Sequence, residues 1–285
     1  MNSSRQHCLR TTRLARAGGL AGVLLAATLL AACGGGGSNS STPTPILFVV
    51  PGPWSGTYNL NGGSNVNVTG AVSPGGFGYF ADNQGNVFML QAVPNTSPFI
   101  STLIGTPGPG TSFPVVSGVV SFTVNGTFSS TASSTSMQGA LTSFDIAGNP
   151  PTITSTGLNG NFTLNTSTPY SGSITLAGLE GQWDGYYLAK TPAAVTLGFQ
   201  GNGIFSGSDA NGCTVSGSLV QQAPQFNLFY VNYTATGRGC PGVMNGLAYL
   251  GSSDTSGNFS GASGTYLYMG LFGLNVAYSA ELKLQ

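Results

Sequence analysis

Short alternations of apolar and polar residues dominate the chain from about residue 46 onward. In the segment Cys213-Thr-Val-Ser-Gly-Ser-Leu219, the cysteine, the valine and the leucine share one face, and hydroxyl side chains occupy the other. A period of two residues is typical of a β-strand with one buried face. Asn211-Gly212 directly precedes this strand and is a favoured tight-turn sequence, so we expect residues 204–213 and 214–220 to form a hairpin.

Similar runs of Val, Thr, Phe and Tyr recur throughout the chain, and sequences that favour helices are scarce. Asn125-Gly126 and Gln84-Gly85-Asn86 predict further turns between strands. The chain contains 45 glycines, but the aromatic residues interleaved with them argue against disorder. The pattern therefore predicts an all-β fold built from small antiparallel barrels or sandwiches.

Two tryptophans open similar segments, Trp54-Ser-Gly-Thr-Tyr58 and Trp183-Asp-Gly-Tyr-Tyr187. A strand of this kind places its Trp and Tyr on one face and lets its glycine pass close to a neighbouring strand. A second echo relates Phe122–Ser129 to Phe199–Ser206, because each contains Phe, then Asn-Gly, then Phe. These echoes indicate an internal repeat.

The repeat predicts a first β domain at residues 46–170 and a second at residues 171–285. Between the two tryptophan-containing halves, residues 175–181 are the one segment that favours a helical turn. We expect Thr175 to cap this turn, Gly181 to end it, and the segment to act as a hinge.

Two aromatic segments, Phe226–Tyr233 and Tyr266–Phe272, are apolar on both faces. A strand with two apolar faces is buried on both sides, lines a ligand cavity, or presents a tyrosine-rich surface to another protein. All three interpretations are compatible with the sequence. The other strands are short and polar on one face, which favours a soluble domain over a membrane-spanning barrel.

The first 32 residues have the features of a bacterial lipoprotein signal. Four arginines precede an apolar run of about 16 residues, which is shorter than the roughly 20 residues of a membrane-spanning helix. The run ends in Leu30-Ala-Ala-Cys33, so we expect cleavage before Cys33 and a lipid, including palmitate, on its thiol. An ordinary secretory signal is the alternative. Residues 33–45 are rich in Gly, Ser, Thr and Pro and predict a flexible tether.

Residues 33–285 contain three basic and seven acidic residues, which gives a net charge of −4. Nucleic-acid binding depends on neutralising phosphates with Lys and Arg, so this composition excludes a nucleic-acid partner. The expected membrane contact is through the lipid on Cys33. In a Gram-negative cell, Gly34 after the lipidated cysteine favours the outer membrane, on either its periplasmic or its external face.

Cys213 and Cys240 are the two cysteines that remain after Cys33. An even pair in an exported chain predicts a disulfide, with two buried free thiols as the alternative. A metal site is a weaker interpretation, because residues 33–285 contain no histidine and no further thiol to complete it. We therefore expect no metal and no cofactor.

Residues with catalytic potential are few. Without a histidine, residues 33–285 cannot form a Ser-His-Asp triad. Glu180 and Asp184 flank Trp183, and two carboxylates beside an aromatic ring are compatible with glycoside hydrolysis. We favour the other interpretation, in which Trp183 belongs to the core and the two acids are solvated.

Two turn-like segments carry possible calcium ligands, Asp209 with Asn211 and Asp254 with Asn258. Calcium takes six to eight oxygen ligands, and each segment offers a single carboxylate. Asp and Asn also stabilise turns by themselves, and we favour that role for all four residues.

The second half resembles a group of uncharacterised proteobacterial lipoproteins, and the similarity extends over most of residues 52–285. It rests on the segments Leu176-Ala-Gly-Leu-Glu-Gly-Gln-Trp183, Gly203-Ile-Phe-Ser-Gly-Ser-Asp-Ala-Asn-Gly-Cys213, Gly239-Cys240 and Gly246-Leu-Ala-Tyr249. The resemblance implies an outer-membrane lipoprotein of small β-barrels or sandwiches in which Cys213 pairs with Cys240. It implies no activity and no catalytic or ligand-binding residue.

Together these features predict an envelope lipoprotein with a non-catalytic binding or interaction role. One alternative is a carrier that holds a small apolar ligand inside a β-barrel. Another is a carbohydrate-active enzyme that uses Glu180 and Asp184.

Overall fold

The computed structural model describes residues 51–91, 99–106, 120–130, 135–147, 152–166, 174–189, 191–223, 227–273 and 276–285. The predicted signal, Cys33 and the tether lie outside the described residues. Almost all of the described chain is in β-strands, which form two domains. The predicted all-β, two-domain fold class is therefore confirmed, and both domains are barrels.

The first barrel is an antiparallel meander in which each strand pairs with the next in sequence. Its strands are β1 Gly52–Leu60, β2 Val66–Val72, β3 Gly78–Asp82, β4 Val87–Gln91, β5 Phe99–Thr106, β6 Val120–Ser130, β7 Thr135–Ala147 and β8 Thr152–Thr166. The sheet closes where β1 pairs with β8, with Trp54 opposite Thr166. Closure leaves no strand with an unpaired edge.

The second barrel has the same topology. Its strands are β9 Gly181–Leu188, β10 Ala193–Phe199, β11 Ile204–Asp209, β12 Thr214–Ala223, β13 Leu228–Thr236, β14 Gly242–Gly251, β15 Tyr266–Gly273 and β16 Val276–Leu284. It closes where β9 pairs with β16, with Trp183 opposite Leu284.

Each tryptophan-containing segment forms the first strand of a barrel, as predicted. Trp54 and Tyr58 are buried in the core of the first barrel, and Trp183 and Tyr187 are buried in the core of the second. The intervening glycine of each strand lies against the backbone of the neighbouring strand. A Cβ at Gly56 or Gly185 would overlap a backbone carbonyl of β8 or β16, respectively. The short aromatic motif therefore combines a core anchor with close strand packing.

The predicted hairpin at Asn211-Gly212 is confirmed, because β11 pairs with β12 and Gly212 adopts a φ of +82°. Cys213, Val215 and Leu219 are buried, as the alternation predicts. The turn at Gln84-Gly85-Asn86 is also confirmed. The carboxylate of Asp82 accepts hydrogen bonds from the backbone N–H groups of Gln84 and Asn86 and so stabilises that turn.

The turn predicted at Asn125-Gly126 is wrong. Both residues lie inside β6, opposite Ala140 and Gly139 of β7. The second echo of the repeat is also wrong as a structural equivalence, because Phe199–Ser206 spans the β10–β11 turn. An Asn-Gly pair permits a turn, but here two long neighbouring strands hold it in extended pairing.

The segment before β9 closes one end of the second barrel. It forms a short 3₁₀ helix, Leu176–Leu179, as the predicted helical turn indicated, but Thr175 makes no side-chain capping bond and Gly181 begins β9. Leu179 is buried in the barrel core, and its carbonyl accepts a hydrogen bond of 2.9 Å from the indole Nε1–H of Trp183. We call residues 174–180 the plug. They are a packed part of the barrel and do not form the expected hinge.

Strand β15 is buried on both sides along most of its length, whereas β13 is buried on both sides only at its start, at Leu228 and Phe229. In β15, Leu267, Met269 and Leu271 face the barrel interior, whereas Tyr266 and Tyr268 belong to a separate apolar cluster. That cluster also contains first-barrel residues, among them Tyr79, and so joins the two barrels. Of the three interpretations of these strands, burial between the domains is confirmed.

Candidate functional site

Glu180 and Asp184 do not flank an accessible aromatic ring, because Trp183 is a core residue, as favoured from the sequence. Trp183 has no exposed surface because strand alternation directs it into the barrel core. Asp184 points outward and accepts hydrogen bonds from the hydroxyl of Thr196 at 2.8 Å and from the amide of Gln182. Glu180 is the exposed last residue of the plug. The indole is therefore inaccessible to a saccharide.

Asp254 organises the loop between β14 and β15. Its two carboxylate oxygens accept backbone N–H groups from Gly257, Phe259 and Gly261 at 2.7–2.9 Å, and the hydroxyl of Ser256 at 3.2 Å. Partial burial raises the pKa of this carboxyl, but these hydrogen bonds outweigh burial and hold the pKa below its ordinary value. Both oxygens thus serve the loop, in accordance with the structural role that we favoured over calcium binding.

Glu281 fixes the same loop from β16. It is fully buried and accepts N–H groups of Thr255 and Ser256, each at 2.9 Å. Burial raises the pKa of this carboxyl, and the hydrogen bonds from Ser256 and Thr255 offset only part of the increase. Among the residues that the structure describes, no three His, Cys, Asp or Glu side chains form a potential metal site.

Cys213 and Cys240 form a disulfide with a Cα–Cα distance of 5.8 Å, as predicted. The bond joins the β11–β12 turn to the β13–β14 loop at the end of the second barrel opposite the plug. Asp209 stabilises the first of these segments, since its Oδ1 accepts the backbone N–H groups of Asn211 at 2.8 Å and Cys213 at 3.0 Å. Asp209 therefore also has the turn-forming role that we favoured over calcium binding.

A cavity of about 280 Å³ lies at this disulfide-linked end of the barrel. We call it the end cavity. Its lining includes Tyr187, Asp209, Asn211, Arg238, Met244 and Tyr278. The hydroxyl groups of Tyr187 and Tyr233 hydrogen-bond to each other beside it. These tyrosines lie on β9 and β13, which are four strands apart in the ring of eight, so the pair spans the barrel.

The tyrosine hydroxyls at the end cavity are held in their neutral form. Burial raises the pKa of Tyr187, Tyr233 and Tyr278, and the nearby Asp209 carboxylate raises each of them further. The phenols therefore remain protonated near neutral pH and act as hydrogen-bond donors. The rings of Tyr187 and Tyr278 also pack edge to face, with centroids 5.2 Å apart. The site offers fixed polar groups and aromatic surface.

The described interior of the first barrel has far less room. A cavity of about 30 Å³ lies among apolar side chains that include Leu90, Leu141 and Phe162. A single buried water needs roughly 10–15 Å³, so this space accommodates at most about two or three water molecules. Of these two cavities, only the polar one approaches the size of a small-molecule site.

Sequence reasoning did not identify the end cavity as a site. Its three tyrosines come from separate strands, β9, β13 and β16, and no local motif contains them. The Trp-x-Gly-x-Tyr pattern did predict that Tyr187 faces inward. Asp209 and Asn211 were identified as polar turn residues, but their proximity to Arg238 depends on the disulfide and the barrel register.

The fold is thus a pair of closed eight-stranded β-barrels, one of which has a polar cavity at its disulfide-linked end. No family model, curated protein or solved structure matches this chain. The described residues include no helix with the length and apolar character needed to cross a membrane.

Proposed function

We propose that this chain is a lipid-anchored protein of the cell envelope with a non-catalytic binding role, exerted through the end cavity. The observation that supports this proposal is the end cavity itself, which has a volume of about 280 Å³ and is lined by polar and aromatic side chains. Its volume is just below the roughly 300–1,000 Å³ typical of small-ligand sites. The disulfide supports a binding role because it holds two rim segments together without a bound partner.

The proposed location rests on the leader sequence. Leu30-Ala-Ala-Cys33 supplies the lipidation signal, and residues 33–45 hold the barrels away from the membrane surface. A disulfide agrees with this assignment, because such bonds persist in the oxidising envelope. The resemblance to proteobacterial lipoproteins favours the outer membrane.

The polar lining of the end cavity favours a polar ligand over the apolar ligand of the alternative carrier function. Its lining carries a carboxylate, an amide, a guanidinium and phenol hydroxyls. A purely apolar ligand would remove these groups from water without replacing their hydrogen bonds, which is unfavourable. The apolar cavity of the first barrel is too small for an alternative carrier site.

A cavity-blocking variant tests the binding role. Asn211 is an exposed lining residue, so Asn211→Trp should fill the entrance with little effect on folding. Gln200→Trp at the exposed β10–β11 turn is the matched control. Saturation-transfer NMR on the full chain in detergent would use monosaccharides, amino acids and short fatty acids as probes. We expect at least one probe to contact wild type and Gln200→Trp but not Asn211→Trp. Equal signals for all three proteins, or no signal, would refute the proposal.

The anchor is tested separately by metabolic labelling with an alkynyl palmitate. Wild-type chain should incorporate the label and fractionate with membranes, whereas Cys33→Ala should remain unlabelled. Labelling of the Cys33→Ala variant would exclude this thiol as the lipidation site.

A further inference from the structure

Two opposite charges line the end cavity and do not neutralise each other. Asp209 and Arg238 both belong to its lining, and neither forms an ion pair within the part of the chain that the structure describes. Asp209 uses Oδ1 to bind the turn, while its Oδ2 accepts no hydrogen bond from a described residue. One carboxylate oxygen and one guanidinium are therefore available to a ligand.

The disulfide relates these two charges in space. Cys213 ends the turn that Asp209 stabilises, and Cys240 follows Arg238 by two residues. Arg238 lies between two glycines with positive φ, Gly237 at +141° and Gly239 at +80°. The covalent bond thus connects the segment bearing the anion to the segment bearing the cation. Their separation is restrained before any ligand arrives, which lowers the entropic cost of binding.

Aromatic and apolar surface adjoins the charges. Tyr187, Tyr278 and Met244 contribute to the same lining. A ligand with one charge would satisfy either Asp209 or Arg238 and repel the other. A neutral ligand would offer each charge only uncharged hydrogen-bonding groups, which form weaker bonds than a partner of opposite charge.

We infer that the end cavity binds a small zwitterion with an apolar or aromatic substituent. Its ammonium group lies at Asp209, its carboxylate at Arg238, and its substituent against Tyr187, Tyr278 and Met244. This inference rests on the proposed binding function and specifies the ligand class. An α-amino acid with an aromatic side chain contains all three elements.

Titration calorimetry with phenylalanine and three analogues tests the assignment of charges. Phenylalaninamide lacks the carboxylate, 3-phenylpropionate lacks the ammonium group, and glucose lacks both. The full chain in detergent is used at about pH 6, where α-amino groups are protonated. We expect phenylalanine to bind and each singly charged analogue to bind about tenfold more weakly, as expected for loss of one charge-assisted hydrogen bond. Glucose should not bind.

Two variants connect the preference to the named side chains. Arg238→Gln should remove the preference for phenylalanine over its amide, and Asp209→Asn should remove the preference over phenylpropionate. Asparagine retains an Oδ1 that accepts the turn N–H groups, so the second variant should fold. Lys283→Gln is the matched control, because this cation contacts the ring of Tyr266 and does not line the end cavity.

Failure of phenylalanine to bind, or equal binding of either singly charged analogue, would overturn the zwitterion assignment. If another probe then still responded to Asn211→Trp, the binding function would stand with a different ligand class. If no probe responded to that block, the binding function would fail as well.

Discussion

Tyr79 is buried in the cluster that joins the two barrels, and its ring packs against Gly270. We call this contact the wedge. Tyr79 is 2% exposed, and a Cβ built on Gly270 would overlap three atoms of its ring. Gly270→Ala should therefore destabilise the chain by about 1–3 kcal/mol, the usual cost of overpacking. Tyr79→Ala should cost about 3–5 kcal/mol, because it empties a large buried position.

The double variant distinguishes this contact from general damage. Once the ring is absent, alanine at position 270 meets no overlap from Tyr79 and gains the usual advantage of alanine over glycine in a strand, about 0.5–1 kcal/mol. Gly270→Ala should thus become neutral or slightly stabilising in the Tyr79→Ala background. The coupling free energy between the two sites should therefore be about 1–4 kcal/mol.

Urea unfolding of the full chain, followed by fluorescence and far-UV circular dichroism, measures the cycle. Gly207→Ala is the control, because its Cβ would overlap the backbone of Thr196 and Leu197 and not the ring of Tyr79. Its cost should be the same with and without Tyr79. Additive costs for Gly270→Ala and Tyr79→Ala would refute the wedge.

Three further predictions concern the second barrel. Cys213→Ser should lower the free energy of unfolding by about 3–4 kcal/mol, because the disulfide closes a loop between cysteines 27 positions apart. Adding a reductant to the wild-type protein should lower its melting temperature, as the substitution does. A wild-type melting temperature that is the same with and without reductant would contradict this prediction. Asp254→Ala should cost about 2 kcal/mol at pH 7 through loss of its loop hydrogen bonds. Since the folded pKa of Asp254 is lowered, this cost should diminish as pH falls through that pKa, and a cost that persists in acid would contradict the role of the charge. Burial raises the folded pKa of Glu281 above its ordinary value near 4.5. Its contribution to the free energy of unfolding is therefore most favourable below about pH 4.5, and it is lost as pH rises through the folded pKa. The stability of Glu281→Gln relative to wild type should accordingly increase across that pH range in denaturant titrations, and a constant or decreasing difference would exclude the burial effect.

Much of the fold followed from local sequence patterns. Alternation predicted the buried face of Cys213, Val215 and Leu219, because a strand covered on one side places every second residue inward. Parity of cysteines predicted the disulfide. Asn125-Gly126 was misassigned because its neighbours in β5 and β7 decide its conformation, and they are distant in sequence.

The end cavity could not be predicted from the sequence. Tyr187 and Tyr233 are 46 residues apart and meet only because the sheet closes into a ring. Trp183, by contrast, was correctly favoured as a core residue. Neighbouring acids indicated a possible sugar platform, but adjacent residues in a strand point to opposite faces, so the ring and the carboxylate of Asp184 are on different sides of the sheet.

The hydroxyl pair of Tyr187 and Tyr233 also bears on how this barrel can diversify. On the plug side of that pair lie the large buried residues, including Trp183 and Phe205, on which folding depends. On the other side lie the β11–β12 turn and the β13–β14 loop, joined by a covalent bond. Apart from the two cysteines, residues in these two segments can therefore be substituted at little cost to the core. A lineage of such barrels can change its ligand by altering a few loop positions while the same scaffold is inherited intact.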